Sequence, residues 1–348
     1  MDKLLIRADG NSEIGSGHIM RCSAIAETVS ADGCEALFAV SDDVSRKFVE
    51  AKGFRCKVVG GDFRHFGMQD ADALSDLANS LDVRSVLVDS YAVNDGFFAQ
   101  LSKRGIACIY IDDAFTFAGG FDARPARRDV AAVINYSFGF GLSNYEAVYS
   151  GTSTALHIGP VYAPIRTGFR DIAYDVRSEV GNVLVTSGMT NPNGALERMA
   201  AGCRAALPDV RITVVVGASA AFDETCLAGT VFEAVRDVQN MPELMARADL
   251  AISAAGTTLY ELACVGVPMV VAPVVENQIG NAMGIGKLGL GESFGIVDWA
   301  IDDVRRAVSK LAGSYEKRCE LSARERELLD GYGACRIYEA VKMAQYDV

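Results

Sequence analysis

Histidine is scarce: His18, His65 and His157 are the three in 348 residues. Residues so scattered do not compose the His/Cys clusters that hold zinc. The nine cysteines never form Cys-x-x-Cys, and the closest pair, Cys22 and Cys34, lies twelve positions apart. That argues against a zinc ribbon or a thioredoxin motif, and most of them read as small core residues. Positive charge is short as well. With 33 Lys and Arg against 45 Asp and Glu, the net charge of −12 suits neither nucleic acid nor an anionic membrane as a partner. A local basic pocket for a phosphorylated small molecule stays open. Long hydrophobic runs are missing. The most apolar stretch, Gly266 to Val275, is too short to span a bilayer and holds two prolines. Met1-Asp2-Lys3-Leu4 leads into a short strand rather than a signal-peptide core, so a cytoplasmic, reduced protein is expected. No Gly-Lys-Ser/Thr is present, so there is no P-loop.

What is there is an alternation. Short apolar runs (Leu4 to Ala8, Ala36 to Val40, Cys56 to Val59, Val86 to Val88, Ala107 to Ile111, Val130 to Ile134) are interspersed with helical periods from His18, Val44 and Phe97. After Gly159-Pro160-Val161-Tyr162-Ala163-Pro164 the alternation restarts, with strands near Val183, Ile212, Val231, Leu250 and Met269. Helices are expected over Ala195 to Leu207, Pro242 to Ala248 and Thr257 to Val265, and helix formers fill Asp302 to Lys342. This pattern implies parallel α/β sheets. The expected fold is two Rossmann-like domains with an interdomain cleft. They would span residues 1–158 and 171–348, with 159–170 as linker and the last helix able to pack back on the first domain.

In such sheets ligands bind at the carboxyl ends of strands, where Asp9, Asp89, Asp112 and Asp113 stand. Helix capping is the alternative for each. The loop Asp9-Gly10-Asn11-Ser12-Glu13-Ile14-Gly15-Ser16-Gly17-His18 joins a strand to a helix, as anion-binding loops do. Met20 occupies the place of the third glycine of a dinucleotide fingerprint, which weakens NAD binding. His18 opens the helix, where the dipole disfavours imidazolium; a neutral imidazole there suits a general base. In Ser253-Ala254-Ala255-Gly256-Thr257-Thr258-Leu259-Tyr260-Glu261, hydroxyls and free N–H groups would suit a diphosphate. One turn on, Glu261 could accept from the hydroxyls of a ribose.

These motifs carry a resemblance. Ser253 to Asn281 resembles the nucleotide-sugar site of the GT-B group that includes MurG-type glycosyltransferases. The run Ile6-Arg7-Ala8-Asp9-Gly10-Asn11 through Gly15-Ser16-Gly17-His18-Ile19-Met20-Arg21-Cys22 is similar to the UDP-sugar hydrolases of pseudaminic acid biosynthesis. Those act on UDP-2,4-diacetamido-2,4,6-trideoxy-β-L-altropyranose. Asp89-Ser90-Tyr91, Ile111-Asp112-Asp113 and Gly159 to Arg166 extend the likeness. The resemblance implies a hydrolase on a GT-B-like fold, with water replacing the sugar acceptor; no Asp-x-Asp motif is read that would hold a metal, and neither metal nor cofactor is expected. His18 would be the base, with Asp9 beside it. Arg7, Asn11, Gly15, Gly17, Tyr91 and Asp113 would contact substrate from the first domain. Gly188, Gly256, Thr257, Thr258 and Glu261 would hold diphosphate and ribose, and the loop from Val238 to Met241 the uracil. Gln278 and Asn281 would face the sugar or diphosphate.

One stretch departs from the family's Phe-Gly-Gly-Thr/Ser-Asp-Pro-Asn pattern. It reads Ser187-Gly188-Met189-Thr190-Asn191-Pro192-Asn193, with Met189 for a glycine and Asn191 for an acid. A related UDP-sugar, such as a precursor of legionaminic acid or a spore-coat saccharide, would fit as well. The alternatives are a MurG-like glycosyltransferase and a catalytically silent nucleotide-sugar-binding protein.

Overall fold

Parallel neighbours in a sheet need a crossover between them, which is what polar helices between apolar runs provide. The computed structural model describes residues 3–11, 13–113, 129–218 and 220–346. The chain forms two compact units. The first takes Met1–Tyr136, Phe140–Thr167 and Gly331–Val348; the second takes Ser137–Gly139 and Gly168–Asp330.

The first unit runs β1 (Lys3–Ala8), α1 (Gly17–Ala31), β2 (Glu35–Val40), α2 (Asp43–Glu50), β3 (Arg55–Val58), α3 (Met68–Ser80) and β4 (Ser85–Asp89). It continues through α4 (Asp95–Lys103), β5 (Ala107–Ile111), β6 (Ala132–Asn135), α5 (Leu142–Tyr149) and β7 (Ala155–Ile158). Its strands are parallel in the order β3-β2-β1-β4-β5-β6-β7. The order reverses between β1 and β4, the kind of switch point where open α/β sheets bind ligands. Both strands stop level there, Ala8 opposite Asp89. In β1, Leu4, Leu5 and Ile6 are fully buried, as expected for a strand covered on both faces.

The second unit repeats the plan. It runs β8 (Asn182–Thr186), α6 (Ala195–Ala206), β9 (Arg211–Val215), β10 (Phe232–Val235), α7 (Met241–Ala246), β11 (Leu250–Ser253) and α8 (Thr258–Val265). Then come β12 (Met269–Val271), α9 (Ile279–Leu288), β13 (Glu292–Ser293), α10 (Ile301–Ala312) and α11 (Tyr315–Leu328). Its order is β10-β9-β8-β11-β12-β13, so the switch point lies between β8 and β11, with Thr186 opposite Ser253. The final helix, α12 (Gly333–Tyr346), belongs to the first unit and packs on α1, β4 and β5. The sequence allows the last helix to pack back on the first domain, and residues 331–348 group with the first unit. Among the described residues no helix is long and apolar enough to cross a membrane.

Several elements escape the hydrophobic period. The inner face of α3 is Ala71, Leu74, Ser75 and Ala78, too small and polar to register. In α9 glycines lower helix propensity, but Gly284 has a reason. A Cβ there would lie 2.2 Å from the Phe138 carbonyl oxygen, so only glycine lets the helix approach that segment.

The buried face of α11 is Arg318, Leu321, Ser322 and Glu325. Arg318 donates through Nη1 and Nη2 to four carbonyls, those of Leu311, Ala312, Arg177 and Ser178, at 2.8 to 3.0 Å. Glu325 is 0% exposed, and among the described residues neither carboxyl oxygen has a hydrogen-bond partner. Burial pushes its carboxyl well above the usual range, against a smaller opposing pull from Arg326. A raised folded-state value stabilises below the unfolded value of about 4.5 and costs stability as pH rises toward the folded one. Glu325→Gln is therefore expected to gain thermal stability over wild type progressively from pH 5 to pH 8. Parallel melting curves across that range would show that Glu325 does not titrate on unfolding.

Candidate active site

The turn after β1 is built around a buried ion pair. Arg7 and Asp9 are each 1% exposed. Arg7 Nη1 donates to Asp9 Oδ2 at 2.7 Å and to the Ala39 carbonyl at 3.2 Å, while its guanidinium lies 4.2 Å from the Phe66 ring centre. The Ser41 backbone N–H and hydroxyl donate to Asp9 at 2.6 and 3.0 Å. Asp9 and Arg7 thus tie β1 to β2 and the Phe66 loop. This corrects their expected roles beside His18 and at the substrate, because both are spent inside the fold. Asn11 Oδ1 accepts from the N–H groups of Glu13 and Ile14 at 2.9 and 3.0 Å, which curls the loop. Gly15 takes a φ of 75°, open only to glycine without strain. Gly15 and Gly17 are exposed, and the first turn of α1 carries no side-chain cap, so its N–H groups remain available.

His18 enters at that first turn. Its Nδ1 lies 2.7 Å from Asp89 Oδ1 at the end of β4, across the switch point. Tyr91 packs edge-on against the ring, with centroids 4.7 Å apart, and its hydroxyl donates to Asp113 at 2.9 Å. Arg21, one turn along α1, pairs with both Asp89 and Asp113. Burial alone would raise the Asp89 carboxyl, but Arg21 and His18 outweigh it and hold it well below the usual range. An ionised Asp89 is an acceptor only, so the neutral imidazole that satisfies it carries its proton on Nδ1 and its lone pair on Nε2. That is the tautomer of a general base with its orienting carboxylate. Cys22 also reaches Asp89 at 3.5 Å, but burial, then Asp89, pushes its thiol up, which leaves it inert. Tyr91 and Asp113 thus gather around His18. In the sequence Asp89 stands out only as one of several strand-end acids, and Arg21 only as part of a motif.

In the second unit the residues after β8 and β11 meet at its own switch point. Gly188 has a φ of 85°, and its N–H donates to Thr186 Oγ1 at 3.2 Å. Gly256 and Thr257 lead into α8, whose N-terminal residue Thr257 makes no side-chain cap, and Thr258 follows at the first helical position. Glu261 lies one turn on, half-buried. The amide of Gln278 accepts from the Val274 N–H at 3.0 Å, and its Nε2 would lie 3.6 Å from a Cβ at Gly256. Asn281 corrects an expectation. Its Oδ1 accepts from Ser137 Oγ at 2.8 Å, Phe138 N–H at 3.1 Å and Tyr260 hydroxyl at 3.2 Å. It braces the 137–139 segment, whose Phe138 stacks on Tyr260, while its Nδ2 donates to the Ala255 carbonyl at 3.4 Å; Oδ1 is committed to the fold, and only the amide N–H groups could face a ligand. Val238 and Met241 flank the start of α7, which Asn240 caps through the Glu243 N–H at 3.2 Å.

The departing stretch divides in two. Asn191 accepts from the Leu196 N–H and donates to Glu197 and the Ala221 carbonyl, all at 2.8 Å. An ionised acid could not make the two donations, so Asn191 is a structural choice. Met189 is 56% exposed beside Gly188. The sequence does hold one Asp-x-Asp run, Asp70-Ala71-Asp72. Asp70 accepts from the Gly67 N–H at the start of α3, and Asp72 from Gln100, so both serve the fold. Among the described residues no group of three or more His, Cys, Asp or Glu is placed to hold a metal ion.

Acinetobacter baumannii MurG superposes on this chain with a TM-score of 0.74 at 14% identity, covering 99% of this chain and 100% of that one. The chain has the GT-B glycosyltransferase fold. Phytolacca americana UGT2, complexed with UDP-2fluoro-glucose and pterostilbene, shares it with a TM-score of 0.63 at 13% identity, over 98% of this chain and 99% of that one. Residues 182–328, from β8 to the end of α11, match the glycosyltransferase family 28 C-terminal domain. The spore coat polysaccharide biosynthesis protein SpsG of Bacillus subtilis (strain 168) is 28% identical over 216 residues, 59% of this chain and 62% of that protein. The chain spans about three fifths of the length of the curated relatives it matches.

Proposed function

We propose that the protein hydrolyses a UDP-linked deoxy-diacetamido sugar to free sugar and UDP, as a step toward pseudaminic-type nonulosonic acids. The observation that carries this reading is the His18–Asp89 pair at the switch point of the first unit, which leaves Nε2 as a proton acceptor. The second unit holds UDP: the N-terminus of α8 with Thr257 and Thr258 takes the diphosphate, Glu261 the ribose, and the loop from Val238 to Met241 the uracil. Nε2 takes a proton from water as the water oxygen attacks C1. The C1–O bond breaks, and UDP departs with the bridging oxygen. The N–H groups opening α8 meet the charge that develops on the diphosphate.

The family 28 match and the GT-B relatives favour a second reading. The same base could deprotonate a sugar hydroxyl and make the protein a glycosyltransferase. The test is a single turnover of a UDP-sugar panel in ¹⁸O-labelled water with no acceptor. Hydrolysis at carbon puts the label on the sugar and none on UDP. The free sugar is initially of inverted configuration, and activity persists in EDTA. Turnover only when an acceptor is added identifies the transferase. Label in UDP, or sugar 1-phosphate with UMP, places the attack at phosphorus and ends the proposal.

Glu261→Ala is expected to weaken UDP binding by roughly 1.5–3 kcal/mol, the range for a hydrogen bond to a charged group. Unchanged affinity by calorimetry would make Glu261 a bystander on α8.

A further inference from the structure

Arg21 is 8% exposed, and its guanidinium reaches the ends of three strands. Nε and Nη2 donate to the two oxygens of Asp89 at the end of β4. Nη1 donates to Asp113 after β5, and to the Tyr136 hydroxyl after β6 at 3.0 Å. Nη2 also stands 2.9 Å from His18 Nδ1. Nδ1 therefore faces a cation and a carboxylate at once, and the two call for opposite tautomers. If Nδ1 accepted from Arg21, its lone pair would oppose that of Asp89 Oδ1 at 2.7 Å. That clash lies at the shorter of the two contacts, and Asp89 Oδ1 can only accept, so the Nδ1 proton goes to Asp89.

We propose that Arg21 is a positioning residue: by gripping Asp89 side-on, it keeps the His18 proton on Nδ1 and the lone pair on Nε2. This rests on the reading of His18 as the general base. The planar fork is what the task requires. Two nitrogens orient one carboxylate while the third reaches a second carboxylate and a phenol; a lysine offers a single nitrogen. Without the grip, Asp89 is free to rotate away from the ring, and Asp113 becomes an uncompensated neighbour.

With three histidines in the chain, ¹⁵N-histidine labelling gives few ring signals, and His18→Asn assigns the one of interest. Spectra recorded above pH 8 are expected to show wild-type His18 protonated on Nδ1. In Arg21→Lys, which keeps the buried charge, the two tautomers mix. There kcat for the UDP-sugar falls about 10²-fold, the size of a small misplacement, while KM stays within a few-fold. Arg21→Gln repeats the pattern if it folds; if it does not, Arg21→Lys decides. Wild-type His18 protonated on Nε2, or Arg21→Lys with wild-type tautomer and kcat, overturns the proposal. A protein that turns over no UDP-sugar, with or without an acceptor, sinks the general-base reading alone, because the tautomer measurement needs no activity.

Discussion

Turnover of the UDP-sugar is expected to fall by about 10²–10⁴-fold in His18→Ala and in His18→Asn, the usual contribution of a general base. UDP affinity should stay within a few-fold of wild type. The split follows from where the groups sit. His18 belongs to the first unit, and the residues proposed to hold the nucleotide belong to the second. The two variants fail for different reasons. Ala removes the ring, whereas Asn keeps a polar group that can still donate to Asp89 but offers no basic nitrogen. Stopped turnover with intact UDP binding by calorimetry supports the assignment. Near-normal kcat in both variants removes His18 from the mechanism.

Asp89→Asn should cost almost as much in rate and far more in stability. The new amide has one oxygen and one NH₂, but Asp89 now accepts from Arg21 on both oxygens and from His18 on one. With its oxygen toward His18, the NH₂ meets Arg21 Nε, donor against donor. With its NH₂ toward His18, Nδ1 must become the acceptor, which puts the proton on Nε2 and removes the base. Either way a buried guanidinium loses a partner, and breaking such a pair costs about 3–5 kcal/mol. The pH dependence has a definite sign. The Asp89 carboxyl is depressed in the folded protein, because Arg21 and His18 overcome the effect of burial. Its contribution is present above the unfolded value of about 3.9 and lost as pH falls toward the folded one. The deficit of the variant in urea unfolding should therefore be largest near pH 7 and shrink below about pH 4. A deficit constant across that range would mean the charge of Asp89 is not what stabilises the site.

Much of the fold was legible because its signals are local. β1 and β8 announce themselves as short apolar runs, and the loop before His18 as glycines between a strand and a helix. Elements built from small or flexible residues, such as α3 and α9, carry too little hydrophobic contrast to be seen. The buried face of α11 misleads in the other direction. Arg318 and Glu325 look like solvated residues, yet both are fully buried. One is accommodated by carbonyls at the end of α10 and in the segment before β8, which no periodicity reports.

By itself the sequence determined two parallel α/β units, a histidine at the first turn of a helix and a hydroxyl-rich turn at the head of another. Propensity, period and capping act over a few residues and leave their mark in order along the chain. Tertiary structure alone decided which acid serves His18. Asp9 is nine residues away and is consumed by Arg7 and Ser41, while Asp89, 71 residues away, completes the pair. Asn281 likewise turned inward to hold Ser137 and Phe138. The reason is the strand order. Placing β4 beside β1 brings their carboxyl ends level, and buried polar groups then pair with whatever the sheet sets within reach rather than with their neighbours in sequence.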